Sequence, residues 1–246
     1  QAQRVDRPEE VTIYGELAHN EQLLVQLQDR GFSMQAESHR DALPATPQVM
    51  ITAHGISDHE WRRLECAGKQ LIDTTCPLVT RVHDAARELE RGGYHVLVLG
   101  KPEHVEVRGI VGDLNQYDVI PTTRAVRRFD ADKLGLVCQT TMPLCEVQAI
   151  REAVEAHNPH AEIRFIDTVC QPTKDRQDSV RRLVAQVEAI VVVGGQNSNN
   201  TRRLVEYCCE RGLPTFHVQQ ATDLHAEWFA GFEKVGLTAG TSTLPE

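Results

Sequence analysis

The stretch KDRQDSVRRLVAQVEAIVVVGGQNSNNT, residues 174–201, decides the fold class. Its first half places Val180, Leu183, Val184 and Val187 at i, i+3, i+4 and i+7, one apolar stripe along a helix predicted over 174–187. Its middle, Ala189 to Val193, is apolar at every position. A strand with no polar alternation has both faces covered, as in a parallel sheet flanked by helices. Gly194-Gly195 then ends the strand, and the Ser/Asn-rich run after it is well suited to cap a second helix, predicted over 200–211.

The same rhythm runs outward in both directions. Strands are predicted at 11–14, 49–52, 95–99, 134–137, 163–166 and 234–237, and helices at 20–30, 57–68, 77–91 and 144–157. Strands alternating with helices define an α/β architecture with parallel sheets. One corner recurs: Asp73-Thr74-Thr75-Cys76-Pro77 and Asp167-Thr168-Val169-Cys170-Gln171-Pro172 each end a strand and open a helix. The two cysteines lie 94 residues apart, about the length of one small domain. We therefore expect three small parallel-sheet α/β domains, at 1–76, 77–170 and 171–246, with the cysteines near the joints.

Composition excludes several classes. The 246 residues carry 26 Lys+Arg against 35 Asp+Glu, a formal net charge of −9, which argues against a general nucleic-acid binder. No apolar run approaches the ~18 residues of a membrane span, and the opening Gln-Ala-Gln-Arg-Val-Asp-Arg-Pro is no signal peptide. Seven cysteines cannot all pair, and none forms a C-x-x-C, so a reduced, cytoplasmic setting is expected.

Ligands of open α/β sheets sit beyond the carboxyl ends of the strands. There the chain places Gly15 to Asn20, Thr52-Ala53-His54-Gly55, Gly100 to Glu106, Gln139-Thr140-Thr141, Gly194 to Thr201 and Gly240 to Thr243. Any one of these is ordinarily a polar turn or a helix cap. Six at equivalent positions point to one shared polar pocket. No G-x-G-x-x-G follows the first strand, and neither G-x-x-x-x-G-K-[ST] nor G-x-S-x-G occurs, so nucleotide and serine-hydrolase sites are unsupported. Uncharged donors at helix starts suit phosphate, and thiolates there suit a soft metal or an iron–sulfur cluster.

These motifs resemble the 4-hydroxy-3-methylbut-2-enyl diphosphate reductase family, iron–sulfur enzymes of the methylerythritol phosphate route to isoprenoids. The matching runs are Gly15 to Asn20, Ala53-His54-Gly55, Asp73 to His83, Gln139-Thr140-Thr141, Asp167 to Cys170 with Arg176-Gln177, Gly194 to Asn200, and Val235 to Ser242. They follow family order over nearly the whole chain. The resemblance implies three α/β domains around a central [4Fe–4S] cluster with one open iron. It implies reductive removal of the substrate hydroxyl to give isopentenyl and dimethylallyl diphosphates, with electrons from ferredoxin or flavodoxin. Carried over by position, Cys76 and Cys170 are cluster ligands. His19, His54, His104, Thr140, Ser198, Asn199, Asn200 and Ser242 bind the substrate, chiefly its diphosphate. Glu106 is the proton source, with His104 and Thr140 assisting.

Three departures accompany the match. Nothing here corresponds to the family's first cluster cysteine, in a Gly-Phe-Cys-x-Gly-Val segment, and the C-terminal extension is short, so the chain reads as a piece of a longer protein. The family's His-Pro-Glu is His104-Val105-Glu106 here, and Lys101 replaces a usual His. Cys138 is the nearest alternative third ligand, with burial as a small apolar side chain the ordinary role for it, Cys66 and Cys145. Two rival readings are a diphosphate-binding protein on the same scaffold without a cluster, and a zinc hydrolase, which lacks an H-E-x-x-H signature.

Overall fold

The computed structural model describes residues 2–15 and 21–240. Eleven strands and seven α-helices are defined among them. They fall into two compact units, one made of residues 1–17 and 27–169 and the other of residues 18–26 and 170–246.

The first unit contains two four-stranded sheets. Strands β1 (Val11–Tyr14), β2 (Ser33–Gln35), β3 (Gln48–Ile51) and β4 (Gln70–Asp73) form one sheet in the order β2-β1-β3-β4. Strands β5 (His95–Leu99), β6 (Tyr117–Ile120), β7 (Lys133–Cys138) and β8 (Glu162–Phe165) form another in the order β6-β5-β7-β8. Every pairing is parallel, and the two orders are the same pattern written twice. The second unit carries β9 (Ala189–Val193), β10 (Thr215–Val218) and β11 (Val235–Ala239), again parallel, in the order β10-β9-β11.

The intervening helices are α1 (Glu21–Asp29), α2 (Asp58–Cys66), α3 (Pro77–Arg91), α4 (Val105–Val111), α5 (Leu144–His157), α6 (Gln171–Val184) and α7 (Asn199–Cys209). Helix α3 starts where Pro77 follows the N-cap Cys76 and stops at Gly92-Gly93, the second with φ +80°. Its buried stripe of Val82, Ala86 and Leu89 packs with Val96 and Val98 of β5. The alternate residues Leu97 and Leu99 face the opposite way, against Val147, Ile150 and Val154 of α5. Both faces of this sheet are thus covered, which is why its central strands are apolar throughout. Gly135 of β7 admits Leu89, whose side-chain carbons would stand 2.9 Å from a Cβ built there. In the second unit Val180 of α6 and Leu204 of α7 pack with Ile190 and Val192.

The periodicity of residues 174–187 places α6 three residues late at both ends. The helix begins at Gln171 because Cys170 is its N-cap and Pro172 lies in its first turn, and Val187 falls beyond its end. The strand-end run Gly100 to Glu106 does not stay a loop throughout, because its last two residues open the short helix α4. No helix among the described residues is long and apolar enough to cross a membrane.

Candidate functional site

In the first unit, three strand ends bring polar and titratable side chains together. After β5 the chain turns through Gly100, where a Cβ would stand 2.8 Å from a Val107 methyl, and reaches His104, the N-cap of α4. His104 Nδ1 accepts the Glu106 N–H at 3.2 Å. That bond requires the Nδ1 lone pair, so the neutral ring carries its proton on Nε2.

Glu106 lies in the first turn of α4 and is 2% exposed. The strand end after β7 supplies its partner: the Thr140 N–H donates to Oε1 at 2.6 Å and the Thr140 hydroxyl to Oε2 at 2.8 Å. Burial pushes the Glu106 carboxyl up to about 7, against the downward pull of these two hydrogen bonds. Desolvation outweighs donation, so the group exchanges a proton near neutrality.

The strand end after β3 brings His54, whose ring meets His104 edge-to-face at 5.6 Å between centroids. His54 Nδ1 lies 3.8 Å from Glu37 Oε1. Glu37 was not read from the sequence as a site residue. Its signal would have been β2, because a strand ending at Gln35 puts Glu37 just past its carboxyl end, where ligand-facing residues sit.

Beside this cluster stands the first cysteine corner. The Cys76 N–H donates to Ala53 O at 3.0 Å, tying the start of α3 to the His54 turn. The corner is built twice over. Asp73 Oδ1 accepts the Thr75 N–H at 2.9 Å, and Asp167 Oδ1 accepts the Val169 N–H at 3.1 Å. The Thr74 hydroxyl donates to Ile51 O at the end of β3, and the Thr168 hydroxyl to Cys138 O at the end of β7, the latter at 2.7 Å. Cys76 and Cys170 then cap α3 and α6 without using their side chains as caps. Both are half-buried, and Cys170 Sγ lies 3.1 Å from the Thr173 hydroxyl.

In the second unit, Ser198 caps α7, its Oγ accepting the Thr201 N–H at 3.3 Å. Asn200 Nδ2 and Thr201 Oγ1 are buried there with no hydrogen-bond partner among the described residues. Buried donors of this kind at the start of an eleven-residue helix fit an anionic ligand. His19 and Ser242 lie outside the described residues, as does the side chain of Asn199. Cys138 is fully buried in the core beneath β7, while Cys66 and Cys145 are exposed. No cluster of three or more His, Cys, Asp or Glu placed to hold a metal ion occurs among the described residues.

The fold is that of a parallel α/β protein of three sheets, with a buried proton-exchanging carboxyl in the first unit, an anion-ready helix start in the second, and cysteines at two helix N-caps whose thiols the caps leave unused. A family model described as LytB protein matches residues 1–246. The chain belongs to the LytB family. It is 35% identical over 236 residues to a protein of Aquifex aeolicus (strain VF5) named 4-hydroxy-3-methylbut-2-enyl diphosphate reductase, covering 93% of this chain and 79% of that one. It is 33% identical over 234 residues to a protein of the same name from Anaeromyxobacter sp. (strain Fw109-5), covering 95% and 81%. A solved structure titled as (E)-4-hydroxy-3-methyl-but-2-enyl diphosphate reductase, the terminal enzyme of the non-mevalonate pathway, matches with a TM-score of 0.67 and 33% identity, over 96% of this chain and 84% of that one. The reductase structure from Plasmodium falciparum matches with a TM-score of 0.86 over 99% and 76% and, at 24% identity, shows the shared fold.

Proposed function

We propose that this chain carries out the reaction named for its relatives, reductive dehydroxylation of 4-hydroxy-3-methylbut-2-enyl diphosphate to isopentenyl and dimethylallyl diphosphates. The substrate takes up two electrons and two protons, the C–O bond to the hydroxyl breaks, and water leaves. The observation that carries this reading is the buried Glu106–Thr140 pair. A carboxyl that titrates near neutrality can deliver a proton to a departing hydroxyl, and Thr140, donor and acceptor at once, can hold that hydroxyl. A protein that only bound diphosphate would have no use for burying such a carboxyl, which opposes folding when ionised.

His54, His104, Ser198, Asn200 and, by resemblance, His19, Asn199 and Ser242 would hold the diphosphate. The neutral His104 tautomer presents Nε2–H as a donor, and Asn200 Nδ2 has a hydrogen bond still to make. Cys76 and Cys170 would supply two of the thiolates for a [4Fe–4S] cluster. Their fit rests on the corner geometry: each sulfur is left unused by its own helix cap, and an O–H stands beside Cys170 Sγ. When bound, such a cluster supplies the electrons and a Lewis-acidic iron. The same reading includes a cytoplasmic setting, ferredoxin or flavodoxin as donor, and domains at 1–76, 77–170 and 171–246, each carrying one sheet.

Anaerobic reconstitution with iron and sulfide tests it. The protein should bind both and turn over the allylic diphosphate with dithionite-reduced methyl viologen. Cys170→Ser should lose most of the iron. Full iron retention in that variant, or a reconstituted protein that never consumes the diphosphate, would defeat the proposal.

A further inference from the structure

A second charged cavity lies in the first unit, apart from the Glu106–Thr140 pair. It has a volume of about 330 Å³, and its wall includes Arg40, Arg63 and Arg108 together with Glu37, Asp41 and Glu60. The three arginines are not equivalent. Arg63 is spent on Glu60 through two bonds, Nε to Oε2 at 2.8 Å and NH2 to Oε1 at 2.7 Å. It is further tied to the Tyr14 hydroxyl at 3.0 Å and to the carbonyls of Arg40 and Asp41.

Arg40 and Arg108 keep donors in hand. Arg40 lies over the Tyr14 ring, 4.8 Å from its centroid, and gives NH2 to Tyr14 O at 2.7 Å. Its Nε is buried and makes no hydrogen bond. The side chain of Arg108, exposed on α4, makes no hydrogen bond or ion pair among the described residues. Burial holds the Arg40 guanidinium below its ordinary proton affinity; Glu37 opposes this and Arg108 adds to it. A buried donor left unmade is costly, and two guanidiniums facing one cavity repel until an anion comes between them.

The surrounding backbone is packed tightly enough to keep this geometry. Gly15, with φ +106°, leaves room that the Arg40 guanidinium occupies, since a Cβ there would be 2.5 Å from NH2. Gly112, which follows α4, brings that helix so close to Ser57 that a Cβ would lie 2.8 Å from the serine Cβ.

We infer that this cavity is a binding site for a small hydroxylated phosphate monoester, with Arg40 and Arg108 taking the phosphoryl oxygens. The planar guanidinium fork matches that group. The volume is at the small end for ligand pockets, which rules out a nucleotide. Asp41 and Glu37 in the wall disfavour a polyanion and offer acceptors to hydroxyl groups. Nothing in this assignment depends on the reductase reading.

Calorimetric titration with glycerol 3-phosphate tests it, with inorganic phosphate alongside. The protein should bind glycerol 3-phosphate more tightly than phosphate. Arg108→Gln, at an exposed position without partners, should weaken binding at least tenfold, and Arg108→Lys should recover part of it. Asn200→Ala, at the proposed diphosphate corner of the second unit, should change it by less than twofold. No heat of binding at millimolar ligand, an unaltered affinity in Arg108→Gln, or loss of binding in Asn200→Ala would overturn the assignment. The last would place the ligand at the diphosphate corner.

Discussion

Thr140 gives both of its donors to one carboxylate, its N–H to Glu106 Oε1 at 2.6 Å and its hydroxyl to Oε2 at 2.8 Å. The strand end after β7 and the first turn of α4 are thereby locked to each other at the atoms proposed to handle the proton.

Replacing Glu106 with Gln removes the titration and keeps the shape. Turnover should fall by at least a hundredfold while inorganic diphosphate still binds, as calorimetry would show. Stability gives a second readout with a defined sign. The folded carboxyl titrates near 7 and the unfolded one near 4.5, so its contribution is full below 4.5 and is lost as pH rises through 7. The gap in unfolding free energy between Glu106→Gln and the parent should therefore open between those pH values. It should reach on the order of 3 kcal/mol in favour of the variant.

Thr140→Val tests the opposing contribution. The hydroxyl bond lowers the Glu106 pKa, so its removal should raise it further. If the acid form is the working form, the alkaline limb of the pH–rate profile moves to higher pH. A limb that stays put separates Thr140 from the proton step.

Gly100→Ala should damage the site through packing. The added methyl would meet Val107 of α4 at 2.8 Å and the Gln139 side chain at 3.0 Å, pushing apart the segments that carry Glu106 and Thr140. Overpacking of this kind costs about 1–3 kcal/mol. A lower melting temperature with kcat reduced more than KM is raised is the expected pattern.

Asn158 is a purely structural test case. Fully buried at the end of α5, it accepts the Phe129 N–H at 2.7 Å and donates to Val154 O and Arg127 O at 2.9 and 3.1 Å. Asn158→Ala strands these backbone groups and should cost roughly 2–4 kcal/mol, read by denaturant unfolding, without changing the activity of the folded fraction.

The central strands were legible because burial on both faces leaves little room for polar residues. β1, β3, β5, β7 and β9 all show it, with β5 nearly fully buried from Val96 to Leu99. The four strands that escaped, β2, β4, β6 and β10, are all at sheet edges. They are short and half-exposed, and a sequence such as Gln70-Leu-Ile-Asp73 has neither a continuous apolar run nor a clean alternation. Helix α4 escaped because seven residues with Gly109 inside offer only two turns of pattern. The polar corners could be read wherever the strand before them or their own Asp-Thr-x-Cys pattern marked the place, and Glu37, after the three-residue edge strand β2, had neither signal.

The paired corners at Asp73–Cys76 and Asp167–Cys170 also divide labour within four residues. Aspartate and threonine shape the backbone, while the thiol is spared from that task. Inheritance can therefore erode the chemistry of either copy without disturbing its architecture. A descendant with serine at one of these positions should keep its shape and, on the proposed reading, lose only its hold on iron.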